Sequence, residues 1–266
     1  MENRENKTGN ILVGTSGFSY PDWQGIFYPP GLKKEEWLEF YAQYFDFCEL
    51  NFSYYRMPQA QQLEKFLQFP IKFSIKAHRS MTHERLETKV ARQDFLEAVQ
   101  VLQQDDHLAA VLLQFPYSFG YTPEHRKYLL TLLEDLESLP LIIEFRHPQW
   151  VRDSVFQTLR DHAWGISMMD SPQVQGGMPA FDSVTSNIAY LRFHGRNKDS
   201  WWQGDNVSRY DYEYDIQELE NWIPRISNMA KAASTTYISF NNHARGQAIK
   251  NATQLMGILK KSELIE

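Results

Sequence analysis

The feature that most constrains this chain is an alternation sustained from end to end: short apolar runs separated by longer stretches with helical periodicity. The runs lie at 11–16 (ILVGTS), 47–51 (FCELN), 71–78 (IKFSIKAH) and 109–115 (AAVLLQF), then at 141–146 (LIIEFR), 164–170 (WGISMMD), 188–194 (IAYLRFH) and 236–242 (TYISFNN). Helical patterns fill 33–45, 59–68, 90–104, 123–138, 153–162, 211–231 and 245–260, and Thr122 ahead of Pro123 and Glu124 forms a helix start. Eight strands alternating with helices predict one α/β domain, a single (β/α)8 TIM-type barrel over 11–266 behind a disordered tail at 1–10. Two places depart from the pattern. Residues 171–187 lack helical periodicity, so the sixth helix is expected to be missing or vestigial, and Pro224 should kink or split the seventh.

Bulk properties narrow the partners. The 266 residues, 42% of them hydrophobic, suffice for one sizeable core, and a formal net charge of -6 gives no global reason to seek nucleic acid or an anionic membrane. The lone cysteine, Cys48, cannot form an internal disulfide, and the polar N-terminus has no apolar signal core. No run approaches the roughly 20 apolar residues of a membrane span. The expectation is a cytoplasmic protein that does not enter the membrane, its oligomeric state left open.

Strand parity then sorts the polar residues. On the fifth run Leu141, Ile143 and Phe145 share one face, which leaves Glu144 and Arg146 pointing into the barrel. The same alternation puts Glu49, Asn51, Ser74, Lys76, His78, Gln114, Asp170, Arg192, His194, Ser239 and Asn241 inward, nearly all at the C-terminal strand ends where barrels carry their active sites. Each has a bland alternative: Glu144 and Arg146 could merely neutralise one another, the histidines could be satisfied loop residues, and Trp23, Trp201 and Trp202 ordinary packing. The convergence of charged strand ends on one rim is what favours function.

Together these strand ends resemble the YecE-like family, also called domain-of-unknown-function family 72. The matching segments are GTSGFSYPDWQGIFYP (14–29), ELNFSYYRMP (49–58), FSIKAHRSMTH (73–83), LLQFPYSF (112–119), IEFRHPQW (143–150), YLRFHG (190–195) and FNNHARGQAIKNA (240–252). They run in family order over almost the whole chain, with mild departures at Phe18, Phe52 and His243. The resemblance implies a TIM-type barrel and no established activity.

The leading expectation is an enzyme acting on a small polar anion, phosphate- or carboxylate-bearing and sugar- or nucleotide-like. Lys76, Arg146 and Arg192 would converge on the mouth with Arg56 and Arg79 in adjoining loops, since guanidinium groups grip such anions in two-pronged fashion. Glu49, Glu144, His147, Asp170 and His194 are the candidate acid–base groups, and at least one of the two glutamates is expected to be raised in pKa by burial. Ser16, Tyr20, Trp23, Asn51, His78, Gln114, Asn241 and Asn242 are the further candidates for binding substrate. The aromatic loop 18–28 and the segment 196–212 could cover the site. A divalent metal, making the protein a hydrolase or isomerase, is an alternative; it is disfavoured because no compact metal motif is present and the arginines would repel a cation. Nucleic acid as substrate and a non-catalytic binding barrel are the remaining readings.

Overall fold

The computed structural model describes residues 9–86, 89–205 and 207–266. Its strands are β1 (Asn10–Ser16), β2 (Phe47–Leu50), β3 (Lys72–Lys76), β4 (Leu108–Gln114), β5 (Leu141–Glu144), β6 (Gly165–Asp170), β7 (Ile188–Phe193) and β8 (Thr235–Phe240). Each pairs in parallel with the next, and β8 pairs with β1, so the sheet closes as a barrel in chain order. Around it lie α1 (Trp37–Tyr41), α2 (Phe52–Tyr55), α3 (Ala60–Leu63), α4 (Lys89–Gln104), α5 (Pro123–Asp135), α6 (Asp153–Asp161), α7 (Ile216–Glu220), α8 (Ile223–Ala232) and α9 (Gln247–Lys261). This is a single (β/α)8 barrel of the TIM type.

The two irregular places fold as their residues dictate. Residues 171–187 cross from β6 to β7 without a helix. The 211–231 pattern splits into α7 and α8, with Pro224 in the first turn of α8, where a missing N–H leaves no bond unmade. Thr122 caps α5, its side chain accepting from the His125 N–H at 3.2 Å. Of the tail expected at 1–10, residues 1–8 lie outside the described residues, whereas the Gly9 N–H already donates to Ala230 and Asn10 opens β1.

Alternation along the strands divides the apolar residues between two cores. Cys48, Leu113, Ile143, Leu191 and Phe240 face outward into the layer shared with the helices. Phe47, Ala110, Leu112, Ile142, Tyr190 and Tyr237 face inward and fill the N-terminal part of the barrel. Two residues further along the same inward rows come Glu49, Gln114, Glu144 and Arg192. The interior therefore turns from apolar to ionic toward the C-terminal mouth, which is what positions the site. One layer below, β1 and β2 approach closely at Gly14, where a Cβ would lie 1.9 Å from the Phe47 carbonyl oxygen.

Candidate functional site at the barrel mouth

Arg192 stands at the centre of a buried ionic layer. Its Nε donates to Glu49 Oε2 at 2.9 Å and its Nη2 to Glu49 Oε1 at 2.6 Å, while Nη1 donates to Glu144 Oε2 at 2.8 Å. Ser16 Oγ donates to Glu49 Oε1 at 2.5 Å and Tyr190 Oη to Oε2 at 3.0 Å, and Asn51 braces Ser16 at 2.8 Å. The other Glu144 oxygen lies 2.7 Å from Arg146 Nη2, which also reaches His194 Nε2 at 3.0 Å; the Asn241 amide holds the far side of that ring at 3.1 Å. Glu49, Glu144 and His194 have no exposed surface.

Burial opposes the ionised state of Glu144, but Arg146 and Arg192 outweigh it and hold the carboxyl well below the usual carboxylate range. Burial also opposes the charge on Arg192, and Glu144 and Glu49 outweigh that, raising its pKa. For His194 burial and the neighbouring Arg146 act together, lowering the imidazole to about 3, so it is neutral near pH 7. The raised carboxyl expected of this pair is thus not what Glu144 displays. A desolvated carboxylate facing two guanidinium groups is stabilised as the anion.

Above this layer lie two adjoining chambers of about 540 and 250 Å³. Lys76, Arg146, Gln114, Tyr54, Tyr55 and Tyr210 line both. Arg79, His83, Arg209, Tyr117, Trp201 and Trp202 complete much of the outer chamber, and Tyr20, Asn51, Arg192, Asn241 and His243 the inner. Among the described residues that line either chamber there is no aspartate or glutamate. The Lys76 ammonium lies 4.5 Å over the Tyr54 ring and the Arg146 guanidinium 5.6 Å over Trp201. Desolvation and the charge on Arg192 lower Lys76 to about 8, and desolvation with Lys76 and Arg146 nearby lowers His83 to about 4.

The structure brings Ser16, Glu49, Asn51, Gln114, Glu144, Arg146, Arg192, His194 and Asn241 into or directly beneath this cavity, with Tyr20 and Lys76 on its walls. Other candidates lie elsewhere. Asp170 pairs in register with Phe193 on the outward face, while Met169, opposite Arg192, takes the inward place. Its carboxylate is bound by Arg196 at 2.8 and 2.6 Å, by Tyr214 Oη and by Trp222 Nε1, fastening β6 to the segment around α7. His147 caps the turn at Pro148–Trp150 and packs on Tyr117 outside the chambers, and His78 bonds Ser80. Trp23 is fully buried, its indole N–H on the His243 carbonyl. Asn242 follows the inward-facing Asn241 and so points to the opposite face, where its amide donates to the Tyr212 carbonyl and to Asn251 Oδ1, each at 2.8 Å.

Parity reasoning misses His83, Arg209, Tyr54 and Tyr210, which reach the cavity from segments beyond the strand ends, where alternation carries no information. The aromatic content of 196–212 is the available signal, and Trp201, Trp202, Arg209 and Tyr210 do line the outer chamber. Loop 18–28 contributes Tyr20, stacked 4.6 Å from His243, while Trp23 and Tyr28 are buried. Among the described residues no three His, Cys, Asp or Glu side chains group to hold a metal ion, and no helix is long and apolar enough to cross a membrane.

The sequence profile of the family described as "Protein of unknown function DUF72" matches residues 12–265. The chain belongs to the DUF72 family. It is similar to the UPF0759 protein YunF of Bacillus subtilis (strain 168), 30% identical over 269 residues that cover 94% of each chain. A DUF72 family protein of Thermotoga maritima MSB8 is 33% identical, with a TM-score of 0.87 over 94% of this chain and 99% of that one. D-psicose 3-epimerase from Clostridium cellulolyticum H10, 10% identical with a TM-score of 0.50 over 96% of this chain and 100% of that one, shares the barrel fold alone. In this DUF72 protein, then, fold and family are established, and the chemistry of the mouth rests on its own residues.

Proposed function

We propose that the protein is an enzyme acting on small phosphate- or carboxylate-bearing molecules held in the two chambers. One observation carries this reading: Lys76, Arg79, Arg146 and Arg209 line the outer chamber, and no carboxylate of the described residues lines it with them. In a chain of net charge -6, a cavity walled by cations is a local construction, and it gathers positive charge where an anion would enter, although Arg79 and Arg146 also pair with Glu84 and Glu144. The Nε atoms of Arg146 and Arg209 are buried without a hydrogen-bond partner, so a small shift of either side chain toward an anion would give an unmet donor a partner. The aromatic walls suit the flat or ring-shaped remainder of a sugar- or nucleotide-like ligand.

The ionic layer beneath plays a positioning role in this reading. Glu49 and Glu144 are committed to arginines, and Asp170 and His147 stand outside the chambers, so proton transfer falls to groups on the cavity wall. Lys76, lowered to about 8, is the wall group that changes protonation near neutral pH, while His83, lowered to about 4, stays neutral there. The test is calorimetric titration with 3-phosphoglycerate. The native protein should bind it, and Arg209→Gln should weaken binding about tenfold, the loss expected for one charge-assisted hydrogen bond. Equal affinity in the two proteins would remove the outer chamber from the account.

A further inference from the structure

Lys76 differs from every ordinary structural lysine in the way its surroundings leave it. Lys72, on the same strand, pairs with Asp106 at 2.8 Å. Lys76 has no such partner: among the described residues no carboxylate lies within ion-pair distance of its Nζ, because Glu49 and Glu144 are taken by Arg192 and Arg146. It is half-buried, lines both chambers, and rests against Tyr54 with His83 on the same wall. An amine desolvated beside other cations loses its proton readily and becomes nucleophilic.

We propose that Lys76 is a covalent nucleophile, its Nζ condensing with the carbonyl carbon of a small aldehyde or ketone that carries a carboxylate or phosphate. The inference rests on the anion-binding reading and names the substrate class for it. The Nζ lone pair attacks the carbonyl carbon, the C=O π pair moves to oxygen, and a proton passes from nitrogen to that oxygen. The C–O bond then breaks as the hydroxyl takes the second nitrogen proton and leaves as water, and the nitrogen electron pair forms the C=N bond, so amine and carbonyl give imine and water with no change of oxidation state. Arg146 and Arg209 would anchor the anionic group, and neutral His83 is placed to relay the proton. The lowering of Lys76 to about 8 agrees with this role.

Borohydride trapping tests it. The whole protein is incubated with pyruvate or glyceraldehyde 3-phosphate, reduced, and mapped by peptide mass spectrometry. The reduced adduct should form on Lys76 about tenfold or more faster than on Lys72 near pH 7.5, because burial beside other cations favours the free amine of Lys76, whereas Lys72 is engaged with Asp106. Sulfate should suppress it, and Lys76→Arg, checked for a native melting profile, should abolish it. Labelling spread evenly over the lysines, or none on Lys76 while calorimetry still shows sulfate binding, overturns the nucleophile and leaves the anion site standing. Labelling of Lys76 by acetone that sulfate does not suppress overturns the anionic substrate class and the reading beneath it.

Discussion

Arg192 shows how one residue can decide the state of several others. Its guanidinium satisfies both oxygens of Glu49 and one of Glu144 inside the barrel, and only 2% of it is exposed. Replacing it with Met would leave two carboxylates buried and partly unpaired, so Arg192→Met should lower stability by about 3–5 kcal/mol, read by denaturant unfolding. Losses under about 1 kcal/mol would mean that the layer is hydrated and the pairing weak. His194 gives the complementary test in acid. Its folded pKa of about 3 lies below the ordinary 6.5, so between those values the unfolded chain binds the extra proton and stability falls as pH falls. The slope attributable to this ring approaches roughly 1.4 kcal/mol per pH unit, and His194→Gln should flatten the unfolding profile there. An unchanged slope in the variant would show that the ring is not buried neutral.

At the scale of elements, legibility follows periodicity. Strands and most helices can be read because alternation and helical period are long-range patterns; the split at Pro224 and the helix-free 171–187 are readable because proline and aperiodicity are local signals. Asp170 is misread because the run GISMMD ends on a polar residue whose inward neighbour, Met169, is apolar, so parity points the wrong way. Its partners Arg196, Tyr214 and Trp222 lie 26, 44 and 52 residues on, beyond any local pattern. His83 and Arg209, each in a short helical turn beyond a strand end, are hidden for a related reason: no alternation reaches the segments that carry them. Close strand approach is a further element-scale constraint. Gly14→Ala would drive a methyl into the Phe47 carbonyl, and separating β1 from β2 should cost about 1–3 kcal/mol, measurable as a lowered melting temperature. A variant as stable as the native chain would mean that the two strands part without cost.

At the scale of the whole molecule, an acidic chain carries a cationic mouth: Glu49 and Glu144 are drawn into the layer beneath, arginines and Lys76 remain on the cavity wall, and aromatic side chains line the space. Sulfate titration across pH 6.5 to 9.5 tests that claim most directly, because sulfate keeps its charge throughout. With Lys76 titrating at about 8, bound sulfate favours its protonated form, so affinity should fall as pH rises through that value, by about tenfold, and Lys76→Met should bind weakly with little pH dependence. No sulfate binding at any pH, or an affinity that is the same at both ends of the range in the native protein, would contradict the account.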